Sequence, residues 1–334
     1  MRVASLLSLV IFLFLVGCKN DGEEKCAFMP DTRSISVELE IAQLQDSVTT
    51  FSTKEELVDF FSRHVELRDV FFNRPGYPSD SVFINELFSR FNNPYFDSLL
   101  IDTREEFGNL SELREELEEA FRNLTYYYPE FQPPRIQTVI TGLESDIFVS
   151  DSLVIIGLDY YLGSGARFKP NMYDYLLRRY QKNFIVPSIL LLYGIDERFN
   201  KTNLDDRTVL ADMITYGKTY YFAKQMLPCV PDSVFIGYTK EEIEGSRKNQ
   251  DLIWKRLVQD EVFYATSHLI KQKYIAERPK TLEVGEKCPG RIATWVGWEI
   301  VKKYMSEHEE ISLPQLMTNS NAGEIFTQSR YKPI

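Results

Sequence analysis

From Ser34 to Ile41 the chain alternates, with Ile35, Val37, Leu39 and Ile41 on one side and Ser36, Glu38 and Glu40 on the other. A period of two predicts a half-buried strand. Ser52-Thr53-Lys54-Glu55 reads as a capping box. It opens a helix with Leu57, Phe60, Phe61, His64 and Val65 at helical spacing. A stretch rich in Asn, Pro and Phe over about 73–95 reads as a loop. Leu110, Leu113, Leu117, Phe121 and Leu124 mark a second amphipathic helix ending before Pro129. Ile136 to Thr141 is β-like. Phe148-Val149 and Leu153 to Ile156 read as a hairpin turned by Ser150-Asp151-Ser152. Beyond Gly157 apolar periodicity predicts helices near 170–182, 184–195, 203–226, 239–265, 290–308 and 313–328, with caps such as Thr239-x-x-Glu242. The expected fold class is α+β. A small antiparallel sheet in the N-terminal half precedes a mainly helical part, and no repeat divides it.

The first residues change the picture. Arg2 precedes an apolar run from Leu6 to Val16 broken only by Ser8, and Leu15-Val16-Gly17-Cys18 then forms a lipobox. The run is shorter than the roughly 20 residues of a spanning helix, and its layout is that of a secretory signal. Cys18 is therefore the expected lipidation site. Residues 1–17 are read as the signal peptide, 18–33 as a flexible tether and 34–334 as one globular domain. Several acyl chains on one cysteine suffice for stable anchoring. Lys19, where an aspartate would favour the inner membrane, points to the outer one. The net charge of −11 argues against nucleic acid as partner. Cys26, Cys229 and Cys288 remain besides Cys18. Cys229 and Cys288 are either a disulfide pair or buried free thiols.

The chain carries few motifs of known chemistry. The histidines are His64, His268 and His308, and no H-E-x-x-H, C-x-x-C, G-x-S-x-G or Gly-rich phosphate loop occurs. His64 reads as a core histidine. Asp205-Asp206 and Glu309-Glu310 read as capping or solvated pairs. No cofactor is implied. The most unusual chemistry lies in 288–298. Pro289 suits a first helical turn. Arg291 would then sit where the helix dipole disfavours a cation, so a buried carboxylate should compensate it; Glu299 and the acids of 239–261 are candidates. Gly297, between Trp295 and Trp298, costs about 1 kcal/mol against alanine within a helix, which predicts close approach of another element. Tyr216-Gly217-Lys218, followed by Tyr220, Tyr221 and Phe222, is the natural partner for that seam.

These residues also carry a resemblance. Gly157-Leu158-Asp159-Tyr160-Tyr161-Leu162-Gly163, Tyr216-Gly217-Lys218, Ile236-Gly237-Tyr238-Thr239, Ile253-Trp254, Pro289-Gly290-Arg291 through Trp298 to Tyr304-Met305, and Ser329-Arg330-Tyr331-Lys332-Pro333 follow one another as in the gliding-motility lipoprotein family known as GldB. The resemblance implies support of surface gliding and of the linked type 9 secretion machinery through other envelope proteins. It carries no catalytic activity. The family is in turn similar to zinc peptidases with H-E-x-x-H on one helix and a glutamate, in a Glu-Gly context, on a later one. The first helix corresponds to Phe184–Asp196, where no histidine occurs. At Tyr216-Gly217 a tyrosine stands for the glutamate. The expected protein is a non-enzymatic pseudo-peptidase that binds partners, with Tyr216, Gly217, Tyr238, Gly290, Arg291, Trp295, Gly297 and Trp298 as structural or partner-binding candidates. The alternatives are an envelope hydrolase using carboxylates in a degenerate peptidase cleft, and a glycan-binding module.

Overall fold

The computed structural model describes Cys26 and residues 30–333; the signal segment and Cys18 lie outside the described residues. Strand β1 (Ile41–Gln43) is followed by α1 (Lys54–Arg63), α2 (Asp80–Phe91), α3 (Pro94–Phe107) and α4 (Ser111–Tyr127). Then come β2 (Arg135–Val139), β3 (Ile147–Val149) and β4 (Leu153–Gly157). The rest is helical: α5 (Asp174–Leu177), α6 (Ile185–Ile195), α7 (Val209–Met226), α8 (Asp232–Ile236), α9 (Lys240–Lys248), α10 (Gln250–Gln259), α11 (His268–Tyr274), α12 (Ile292–Glu307), α13 (Leu313–Thr318) and α14 (Ala322–Ser329). The α+β class, with a small sheet first and helices after, is as expected.

The antiparallel sheet is corrected. The strand order is β1-β2-β4-β3, with β1 and β4 parallel to β2 and only β3 antiparallel to β4. The reason lies in burial on both faces. Ile136, Val154 and Ile156 face the main core with α4, α6, α7 and α12, whereas Val139, Leu153 and Ile155 face a phenylalanine-rich core built from α1 to α3. A sheet covered on both sides by helical crossovers favours parallel strands with near-continuous apolar runs. The hairpin turned by 150–152 is present, with Ser150 N–H donating to Leu153 O at 2.9 Å. The alternating Ser34–Ile41 run pairs only at its last residue, because β1 begins at Ile41. Its preceding stretch lies against α4, where Arg114 donates to Leu39 O.

Residues 73–95 are not a loop, since α2 and the start of α3 occupy most of them. Ser79 caps α2, accepting from Val82 N–H at 3.3 Å, and Phe83, Leu87 and Phe91 form its buried stripe. The 170–182 segment contains a single helical turn, and the 239–265 segment breaks at Asn249. Asp159, just beyond β4, ties down the turn that follows β2. Its buried carboxylate accepts from Thr141 N–H at 3.0 Å and Leu143 N–H at 2.7 Å, while burial pushes its carboxyl up to about 6. No helix among the described residues is long and apolar enough to cross a membrane.

Candidate functional site

Helices α7 and α12 cross backbone to backbone. A methyl on Gly297 would lie 2.5 Å from the Met213 carbonyl carbon, and one on Gly217 would lie 2.6 Å from that of Gly297. Trp295 and Trp298 are fully buried on either side of the crossing. Trp298 packs 5.2 Å from Tyr220 and carries the Lys302 ammonium 4.0 Å from its ring centre. Gly217, Trp295, Gly297 and Trp298 are thus interior and present nothing to a partner. Lys218, next along α7, turns away from the seam. Its ammonium donates to the carbonyls of Lys201 and Asn319, both at 2.8 Å, and burial pushes it down to about 8.

Arg291 is the hub of a second cluster. It precedes α12 with φ +58°, outside the first turn where it was expected. Its guanidinium reaches away from the helix and donates to Ile236 O and, at 3.3 Å, to the Tyr220 hydroxyl. The compensating carboxylate is Glu277, 3.3 Å away, and not Glu299 or an acid of 239–261. Glu299 is held by Lys302 and Glu242 by Arg178 and Lys280. Arg179 clamps Glu277 with two bonds of 2.7 and 3.0 Å. Burial would lift the Glu277 carboxyl, yet these bonds and the two guanidinium charges hold it below its ordinary value. Tyr238 lies under Arg291 at 6.0 Å and donates to Gly290 O at 2.6 Å. Gly290 in turn abuts the backbone of Arg278 too closely for any side chain. Arg291, Tyr238 and Gly290 therefore meet at one point. Arg179 and Glu277 carried no motif that sequence could read.

A cleft of about 530 Å³ opens beside this hub. Helix α6 contributes Ser188, Leu191, Leu192 and Ile195; α7 contributes Tyr216 and Tyr220. Leu192 and Tyr216 are 43% and 38% exposed, so the two walls of the cleft offer apolar surface to water. The carboxylate lining the cleft is Asp146, which accepts from the Tyr180 hydroxyl at 3.1 Å and from Ile147 N–H.

The remaining candidates separate. His64 caps α1, its ring 4.7 Å from Phe60, and His308 sits beside Glu310 at the end of α12. Among the described residues no three His, Cys, Asp or Glu side chains are placed to hold a metal ion. Asp206 accepts from Thr208, the cap of α7. Cys229 pairs with Cys26, a residue assigned to the tether, and Cys288 is free. Burial pushes the Cys288 thiol up to about 12, which keeps it in its neutral form at neutral pH.

The body is thus α+β, its sheet covered by helices on both faces, with a sealed seam between α7 and α12 and an apolar cleft between α6 and α7. Residues 25–333 match the family described as gliding motility protein GldB, and the chain belongs to that family. Membership implies a role in gliding motility, and the lipoprotein character of the family associates the chain with the cell envelope. Comparison with curated proteins and with solved structures gives no match.

Proposed function

We propose that the cleft between α6 and α7 receives an apolar segment of another envelope protein of the gliding or secretion apparatus, and that the protein works there without catalysis. The observation that carries this reading is the half-exposed apolar wall of Leu191, Leu192 and Ile195 facing Tyr216. The packing of α6 beside α7, with leucines and a tyrosine bordering the cleft, supports the reading of a peptidase-like scaffold without ligands. Hydrolysis by carboxylates would need a desolvated pair with separated pKa values. Asp146 is occupied by Tyr180, and Glu277 is held ionised by Arg179 and Arg291.

The test is a photoreactive side chain at Leu192 in intact cells, with Ile195→Asp as companion. A crosslink to one envelope protein is expected, and Ile195→Asp should lose it while its melting curve shifts by less than about 1 kcal/mol. A folded Ile195→Asp protein that supports motility as fully as the wild type would overturn the reading. The enzymatic alternative is tested separately. Purified protein equilibrated with zinc should retain no stoichiometric metal, and replacing His64, His268 and His308 together should leave function intact. One zinc per chain, lost with any histidine, would revive the enzyme.

A further inference from the structure

Cys26 and Cys229 are joined, and Cys26 lies only eight positions beyond Cys18. Eight residues span at most about 29 Å when fully extended. The disulfide therefore holds the body by a leash half as long as residues 18–33 imply, and it does so at a defined place. Cys229 is exposed just beyond the C-terminal end of α7. The end of α4 lies beside it: Asn123 donates to Met226 O at 2.8 Å, and the Tyr127 hydroxyl donates to Gln225 at 3.3 Å. Tyr126, 43% exposed, packs edge-on against Tyr127 at 5.0 Å. Tyrosines with an apolar body and a polar tip are the side chains enriched at the level of lipid headgroups.

We propose that the Cys26–Cys229 disulfide lays the end of the molecule formed by Cys229, Tyr126 and Tyr127 on the lipid headgroups, fixing which face the anchored protein turns to the membrane. The inference rests on the lipoprotein reading of Cys18. Two further observations favour this end over the other. Helix α7 has 18 residues, about 27 Å at the α-helical rise. Its N-terminal end carries Tyr264, because Leu210 N–H donates to Phe263 O and Val209 N–H to Ala265 O. Turning that end to the membrane would raise Cys229 to nearly the full span of the leash. The body is also strongly acidic, net −11 over the chain. An acidic body gains little from anionic headgroups, so a zwitterionic surface met by aromatic side chains suits it better.

The experiment uses the full lipidated protein, purified from membranes and returned to phosphatidylcholine vesicles brominated near the top of the acyl chains. Tyr126→Trp and Tyr264→Trp are compared after subtracting wild-type fluorescence; Tyr264 is 72% exposed and serves as the distal reporter. The fluorescence added by Tyr126→Trp should be quenched roughly threefold more than that added by Tyr264→Trp. Combining each with Cys26→Ser and Cys229→Ser, in protein whose melting shows it folded, should bring the two closer to equal. Equal quenching with the disulfide intact, or a difference indifferent to its removal, would overturn the proposal. Vesicle flotation of the wild type is the separate check on the anchor. Failure to float would remove the lipoprotein reading, whereas flotation with equal quenching removes only the orientation.

Discussion

Gly297→Leu should destabilise the protein by more than about 3 kcal/mol, beyond the ordinary cost of overpacking. Overpacked cores usually relax by turning side chains or shifting a helix slightly. Here the obstacle is backbone. A side chain at 297 meets the Met213 carbonyl, and Gly217 offers no alternative because it lies against Gly297 itself. The two helices would have to separate, exposing Trp295 and Trp298, which are fully buried. Each of these burials is worth on the order of 2–3 kcal/mol in apolar area alone. Urea unfolding checks this directly. Gly217→Ala should show a smaller loss of the same kind, and a Gly297→Leu protein with an unchanged midpoint would mean that α7 and α12 do not touch as described.

That seam was the part of the interior most legible in sequence. A glycine between tryptophans within a helical period has few explanations, and its partner glycine lay in another aromatic helix. The helical half was legible for the same reason, since α6, α7 and α12 carry long apolar periods, although the single helix expected at 313–328 divides into α13 and α14 around Asn319–Asn321. The sheet was less so. Alternation at 34–41 says that one side is apolar but not what covers it, and the run lies against α4 instead of pairing. Strand direction was hidden because β2 and β4 are buried on both faces, which removes the period-two signal. Helix α2 was concealed by surrounding Asn, Pro and Phe, although Ser79 and the stripe Phe83, Leu87 and Phe91 could have announced it. The carboxylate opposite Arg291 could not be read at all. Selecting Glu277 requires knowing that Arg291 leaves its helix through a left-handed residue, and that Glu299 and Glu242 are already taken. The disulfide likewise joins residues 203 apart, one of them in a segment with no pattern to place it.

Asp232→Ala should cost about 3–5 kcal/mol, the range for removing one partner of a buried ionic cluster. Asp232 opens α8 with 6% of its surface exposed. One oxygen accepts from Lys302 at 2.6 Å and Arg247 at 3.0 Å; the other lies 3.4 Å from Lys224. Arg247 is 41% exposed and can turn to water, but Lys224 and Lys302 are confined. Lys302 retains Glu299 and the face of Trp298, and Lys224 retains Val230 O. Truncation therefore leaves Lys224 buried without the carboxylate beside it. Asp232→Asn should fall between the two because it keeps one acceptor but turns the other oxygen into a donor and loses the charge. The pH dependence has a fixed sign. Burial would raise the Asp232 carboxyl, but Lys302, Lys224 and Arg247 hold it below its ordinary value of 3.8. A depressed native pKa contributes stability that is fully present above the unfolded value and is lost as pH falls through the folded one. The gap between wild type and Asp232→Ala should hence be constant at neutral pH and narrow below about pH 4. Urea titrations at neutral pH and in acid read both quantities. A variant within about 0.5 kcal/mol of wild type at neutral pH, the range of an ordinary surface change, would show that the cluster is solvated and that α8 is not held to α12 by charge.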